Sequence, residues 1–135
     1  MASYVNPASV GPPFHLYSQV SVAGDLVSVA GQVGVDRDNR VVGPDVTSQA
    51  LQAYENIRLI LESQGATLRD VVRFVVYLVD ADDIAGFYTA REQYFGEHFA
   101  EGEYPPNTLL IVKALVKPEL RIEIDATARL SQAAG

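Results

Sequence analysis

Cysteine is missing from all 135 positions. No disulfide, thiolate nucleophile or cysteine-ligated zinc can form, and the composition fits a reducing, cytoplasmic setting. Histidine is nearly absent as well. His15 and His98 stand far apart and form no HxxxH pair, so neither points to a metal site. No apolar run approaches the ~20 residues of a membrane span. No basic n-region precedes an apolar segment near the start, so a secretory signal is not expected. Positive charge is scarce: ten Lys and Arg face seventeen Asp and Glu, a formal charge of −7. Such a surface repels phosphate backbones, and no basic stripe offsets it, which disfavours nucleic acid and anionic membranes as partners. Nucleotide loops are missing too. Gly31-Gln32-Val33-Gly34 has the wrong spacing and no lysine follows it. Ser18, Ser28 and Ser48 lack the elbow motif of a serine hydrolase.

What remains is an ordinary globular composition, 48% hydrophobic and 20% charged, in a length suited to one domain. The reading is an extended proline-rich arm at residues 1–13, a single domain at 14–130 and a small-residue tail at 131–135. Strands are expected at 16–22 and 26–30, joined as a hairpin by Ala23-Gly24-Asp25. Gly31 and Gly34 suggest a bulge or a close backbone approach. Helix 1 follows Gly43-Pro44, capped by Asp45 or Thr47 and stopped by Gly65. Its apolar face is Ala50, Ala53, Tyr54, Ile57, Ile60 and Leu61.

A strand at 71–79 places Val72, Phe74, Val76 and Leu78 on one face. A second helix is capped by Asp80, Asp82 or Asp83 and carries Ile84, Phe87, Tyr88 and Phe95 at helical spacing. Residues 108–116 are nearly all apolar, which predicts a strand covered on both faces. The last strand alternates cleanly: Leu120, Ile122, Ile124, Ala126, Ala128 and Leu130 against Arg121, Glu123, Asp125, Thr127 and Arg129. The order ββαβαββ predicts an α+β sandwich with two helices on one face of a mixed sheet. Its other face needs a partner, and a further subunit is expected to supply one.

Glu123 is the residue with most chemistry to offer. On a solvated sheet face it is one charge among several. In a subunit cleft it orients or deprotonates a water. Asp125 would raise its pKa and Arg121 would lower it. Asn107 and Thr108 follow Pro105-Pro106 at the mouth of the apolar strand. They are either a loop-to-strand cap or ligand contacts through an amide and a hydroxyl. Tyr17 is either a packed strand aromatic or a pocket wall with a phenol donor.

Several segments together resemble the RidA (YjgF/reactive intermediate deaminase) family. They include Tyr17-Ser18-Gln19, Ala23-Gly24-Asp25-Leu26, Val29-Ala30-Gly31-Gln32-Val33 and Ala53-Tyr54-Glu55-Asn56-Ile57. Asp70-Val71-Val72-Arg73, Tyr104-Pro105-Pro106 and Ile122-Glu123-Ile124-Asp125-Ala126 continue the series in the same order. The resemblance runs from Tyr17 to Leu130. It implies a chorismate-mutase-like fold, a homotrimer and small-molecule sites between subunits. It also implies hydrolysis of short-lived enamines and imines to ketoacids and ammonia, without cofactor or metal. Some relatives carry older descriptions as translation inhibitors or endoribonucleases, a role that the charge of −7 disfavours.

Carried over residue by residue, the resemblance assigns the site tyrosine to Tyr17, a glycine backbone contact to Gly31 and the water-orienting glutamate to Glu123. The family's Gly-Pro-Tyr is stretched here to Gly11-Pro12-Pro13-Phe14-His15-Leu16-Tyr17. Its Pro-x-Arg-Ser/Thr reads Pro105-Pro106-Asn107-Thr108, so an amide stands where a carboxylate-binding arginine is expected. Loss of a bidentate guanidinium removes ~3 kcal/mol, a factor of about 100 in affinity. Activity on 2-aminoacrylate should then be weak unless Arg73, Arg121 or a base of another subunit provides an anchor, or the substrate is no carboxylate. The expected function is a RidA-like imine or enamine hydrolase. The alternative is a non-catalytic ligand-binding or chaperone-like trimer, and an RNA-cleaving role ranks last.

Overall fold

The computed structural model describes residues 1–131. The part of the expected tail beyond Ser131 lies outside the described residues. Among the described residues, six strands and two long helices follow in the order β1 (Ser3–Val5), β2 (Val20–Ala23), β3 (Leu26–Val33), α1 (Val46–Ser63), β4 (Val71–Leu78), α2 (Ile84–His98), β5 (Asn107–Ile111) and β6 (Ile122–Arg129). The strands form one sheet in the order β1-β2-β3-β6-β4-β5. Only β4 and β5 run parallel, and every other pair is antiparallel. This is the two-helix, mixed-sheet α+β sandwich expected from the pattern, with one short strand added in front.

That strand changes the picture of the first residues. Residues 1–13 do not form an extended arm: Ser3–Val5 pairs with Val20–Val22 as an edge strand, residues 8–10 turn, and Val10 is buried in the core. The strand expected at 16–22 is shorter at its start. Leu16 and Tyr17 are exposed in a bend, and regular pairing begins at Val20.

Helix α1 begins where Asp45 accepts a hydrogen bond from the Ser48 amide at 2.8 Å. That bond satisfies one donor of the open first turn and holds the Asp45 carboxyl below its usual pKa. The chain turns away at Gly65, whose φ of 77° is a left-handed conformation that disfavours a side chain. The six apolar residues of the α1 face are all fully buried. They pack on the inner face of the sheet, where Val27, Val29, Phe74, Val76, Ile122 and Ile124 lie. Each fully buried Ile or Leu contributes ~1.5–3 kcal/mol. Tyr54 sits among aromatic rings, with Phe95 at 5.3 Å, Tyr94 at 5.4 Å and Phe74 at 5.5 Å between centroids.

One expectation about a face and one about the extent of a strand, placed at 108–116, are corrected. Val72 is exposed whereas Val71 is buried, because the β4–β6 register shifts between Val71 and Arg73 and an irregularity there turns Val72 outward. The apolar strand is not covered on both faces within one chain. β5 spans only five residues at the sheet edge, and Leu110, Ile111 and Val116 remain exposed. No helix among the described residues is long and apolar enough to cross a membrane.

Candidate functional site

The outer face of the sheet, away from the helices, carries the alternate residues of β6. Its burial pattern alternates from Ile122 to Ala128, with Glu123, Asp125 and Thr127 on the half-exposed side. Glu123 stands in the middle of the sheet, opposite Val33 of β3 and Tyr77 of β4. Burial raises its pKa, and the neighbouring Asp125 charge raises it further. Asp125 accepts a hydrogen bond of 2.9 Å from the Tyr77 hydroxyl.

Arg121 does not moderate this pair. Although it has the same parity as Glu123, it precedes the first paired residue of β6. Its Nε donates to Asp83 at 2.7 Å, and Asp80 lies 3.9 Å from its guanidinium. The expectation that Arg121 lowers the Glu123 pKa is therefore wrong: its charge is held by two other carboxylates.

β3 makes room for the Glu123 side chain. The β3–β6 register shifts between Val29 and Gln32, and Gly31 falls in that irregular stretch. A methyl group on Gly31 would overlap the Glu123 carboxylate, coming within 2.6 Å of Cδ. The bulge is anchored from below by two buried amides. Gln32 Nε2 donates to Gln19 Oε1 at 2.8 Å, and Gln19 Nε2 donates to the Gly11 carbonyl at 3.0 Å. These bonds fix the loop that presents Tyr17. The Tyr17 hydroxyl accepts from the Phe14 amide at 3.1 Å, so its own proton is free to donate elsewhere. Tyr17 and Gly31 line a crevice of about 10 Å³, enough for roughly one water.

The two residues of β5 lie elsewhere. Thr108 pairs with Val75, which pairs with Asp125, so Thr108 shares the outer face in the Asp125 row. Asn107 pairs with Phe74 and falls on the helix side. There it lines a groove of about 440 Å³ between α2 and the segment Tyr104-Pro105. One chain thus sets Gly31 against Glu123 and brings Tyr17 and Gly31 to one crevice, with Thr108 two strands away from Glu123 and Asn107 on the opposite side of the sheet. Arg91, not singled out from the sequence, lines the Asn107 groove. The signal was present in the four-residue spacing Phe87, Arg91, Phe95, which sets a cation on the apolar stripe of α2. Among the described residues, no three His, Cys, Asp or Glu side chains are grouped so as to hold a metal ion.

The sequence model of the family described as endoribonuclease L-PSP matches residues 8–130. A RutC family protein of Pyrococcus horikoshii is 37% identical over 123 residues, covering 90% of both chains. The 2-iminobutanoate/2-iminopropanoate deaminase of Salmonella typhimurium is 35% identical over 122 residues, again covering 90% of each. Among solved structures, Escherichia coli TdcF with bound serine superposes with a TM-score of 0.87 at 27% identity, covering 96% of this chain and 99% of that one. RidA from an Antarctic Psychrobacter superposes at 0.83 with 30% identity, covering 95% and 99%. The chain belongs to this YjgF/RidA/RutC family, and imine deaminases are among its relatives at about 35% identity.

Proposed function

We propose that the protein is a cytoplasmic, homotrimeric hydrolase of small imines or enamines, working without metal or cofactor. The observation that carries this reading is the Glu123 carboxyl, partly desolvated beside Gly31 and Asp125, in a chain whose relatives include imine deaminases. The exposed apolar residues Leu110, Ile111 and Val116 support burial against further copies. In such an assembly, Tyr17, Gly31 and Glu123 of one copy meet Asn107 and Thr108 of another.

The chemistry follows from the pKa. Glu123 as carboxylate accepts a proton from water while the water oxygen bonds to the carbon of the protonated imine, whose C=N electron pair returns to nitrogen to give a neutral carbinolamine. The carbinolamine then loses ammonia: Glu123 returns its proton to the nitrogen, the C–N bond breaks, and the hydroxyl proton passes to solvent to leave the carbonyl. A raised pKa makes the carboxylate hold the proton it takes from water more firmly than an ordinary one does, so that it can return it to nitrogen.

Asn107 at the resemblance's arginine position supports a weaker grip on carboxylates and a preference unlike that of 2-aminoacrylate enzymes. The test generates imines in situ with an amino-acid oxidase and traps the free imine with semicarbazide. The expected result is reduced trapping with the native protein and none of that reduction with Glu123→Ala. An unaltered trapping rate across neutral and acidic amino acids overturns the hydrolase reading.

A second reading is a non-catalytic ligand-binding trimer, favoured by the serine bound in the TdcF structure. It expects ligand binding with no effect on trapping. RNA cleavage ranks last, because the charge of −7 opposes a phosphate backbone.

A further inference from the structure

Ten Lys and Arg serve the whole chain, and several are already bound to carboxylates. Arg58 pairs with Glu55 and Glu62, Arg121 with Asp83 and Asp80, and Arg129 with Asp25. Arg91 differs. It is half-buried on α2, and among the described residues it forms no ion pair. Its guanidinium carbon lies 4.9 Å from the Phe87 ring centroid and 4.8 Å from that of Tyr88. Ring faces hold a guanidinium through its π surface and leave its N–H donors, which lie in the guanidinium plane, available.

Arg91 belongs to the wall of the groove that also contains Asn107, with Phe95, Tyr104 and Pro105 as the apolar lining. At about 440 Å³ the groove has the size of a small-molecule site. It combines a pre-positioned cation, a neutral amide and aromatic walls. Glu92 also lines it, and its charge opposes a second anionic group on any occupant.

We infer that Arg91 is the anion anchor of this groove, gripping the carboxylate of a small mono-anionic keto or imino acid while Asn107 contacts the same ligand. The identity of the ligand rests on the imine-hydrolase reading; the recognition of a carboxylate rests on the groove alone. Arg91 would then do from α2 what a guanidinium at position 107 does from β5. Of the two in-chain candidates named from the sequence, Arg121 is held by Asp83 and Asp80, and Arg73 lies on the outer face beside Thr127.

The test measures binding of 2-oxobutanoate, the keto acid left by hydrolysis of 2-iminobutanoate, to the full chain by calorimetric titration. The neutral probe 2-oxobutanamide is titrated in parallel. Arg91→Gln should weaken binding of the acid by about 10- to 100-fold and leave the amide unchanged. Arg91→Lys, which keeps charge and fold but not the fork, should fall between. Equal affinity in native and Arg91→Gln chains overturns the inference. So does a native chain that binds no keto acid, or a variant that loses acid and amide alike, since that marks a structural role. Binding through Arg91 without imine hydrolysis leaves the anchor standing and overturns the hydrolase reading. Hydrolysis with an Arg91→Gln KM equal to the native one does the reverse.

Discussion

Gly31 leaves the space that the Glu123 carboxylate occupies: a Cβ on the first would overlap Oε2, Cδ and Cγ of the second. The contact joins two adjacent strands at the β3 bulge, and it makes the position of the carboxylate depend on a residue without a side chain. The overlapping atoms belong to a side chain that can rotate. Gly31→Ala should therefore displace the carboxylate more than it disrupts the sheet. The expected result is a large loss of imine hydrolysis with a stability loss at or below the ~1–3 kcal/mol of ordinary overpacking. In a Glu123→Ala background the same substitution should cost less, and denaturant unfolding of the four chains measures that coupling. Strict additivity would show that the two residues do not compete for space.

The raised Glu123 pKa makes stability depend on pH. Burial favours the protonated acid, so between the ordinary value of 4.5 and the higher native value the folded state binds more protons than the unfolded chain. This contribution is complete below pH 4.5 and is lost as pH rises through the native pKa. Glu123→Gln removes the titration. The variant should gain stability relative to the native chain as pH rises above that window, with the difference shrinking in acid. Thermal unfolding from pH 4 to 8 checks it, and a constant difference across that range contradicts the assignment.

Asp125 and Tyr77 should tune the same group in opposite directions. Asp125→Asn removes a like charge that raises the Glu123 pKa, so the acid limb of the pH–rate profile should move down. Tyr77→Phe removes the 2.9 Å hydrogen bond that partly satisfies the Asp125 charge, so the limb should move up. Both variants shifting the limb the same way would show that Asp125 does not act on Glu123 through its charge.

Much of this arrangement is legible in the chain itself. Strict alternation from Ile122 to Ala128 places Glu123 and Asp125 on the outer face, and the α1 stripe places Ala50 to Leu61 inward without ambiguity. Gly31 and Gly34 announce a close approach. What the periodicity misses is set by non-local pairing. The three residues Ser3–Val5 become a strand only because Val20–Val22 offers a free edge. Val72 reverses its face through a register shift that no local signal marks. Arg121 shares parity with Glu123, but Asp83 draws it away. Asn107 is assigned to the helix side by its pairing with Phe74, thirty-three positions earlier, so its separation from Glu123 within one chain follows from topology.

That separation makes position 107 informative. Asn107→Arg adds a second guanidinium to the Arg91 groove, and the gain in carboxylate affinity should raise activity on amino-acid-derived imines. Arg121→Gln, by contrast, should leave KM unchanged and reduce stability only slightly, because its ion pairs with Asp83 and Asp80 are partly exposed. Steady-state kinetics on both variants separates the two arginine positions. A KM that responds to Arg121 and not to Asn107→Arg would move the anchor to the other side of the sheet.

The aromatic centre of the core contains one unmet demand. Tyr54 is fully buried, and its hydroxyl is the one buried side-chain polar atom without a hydrogen-bond partner among the described residues. Burial pushes its pKa well above the usual phenol range, while the nearby Arg91 charge opposes that shift. A buried, unsatisfied hydroxyl costs ~1–3 kcal/mol. The ring itself is held by Phe74, Phe87, Tyr94 and Phe95 and needs no oxygen to pack. Tyr54→Phe should therefore stabilise the fold by about 1 kcal/mol, raising Tm by roughly 3–5 °C. Because Tyr54 lies beneath the Arg91 side of α2, the substitution should leave keto-acid affinity within about twofold of the native value. A fall in Tm would mean that the hydroxyl is satisfied in solution, by a trapped water or by the oligomer. A fall in affinity at unchanged Tm would place the Tyr54 oxygen in the electrostatics of the Arg91 groove.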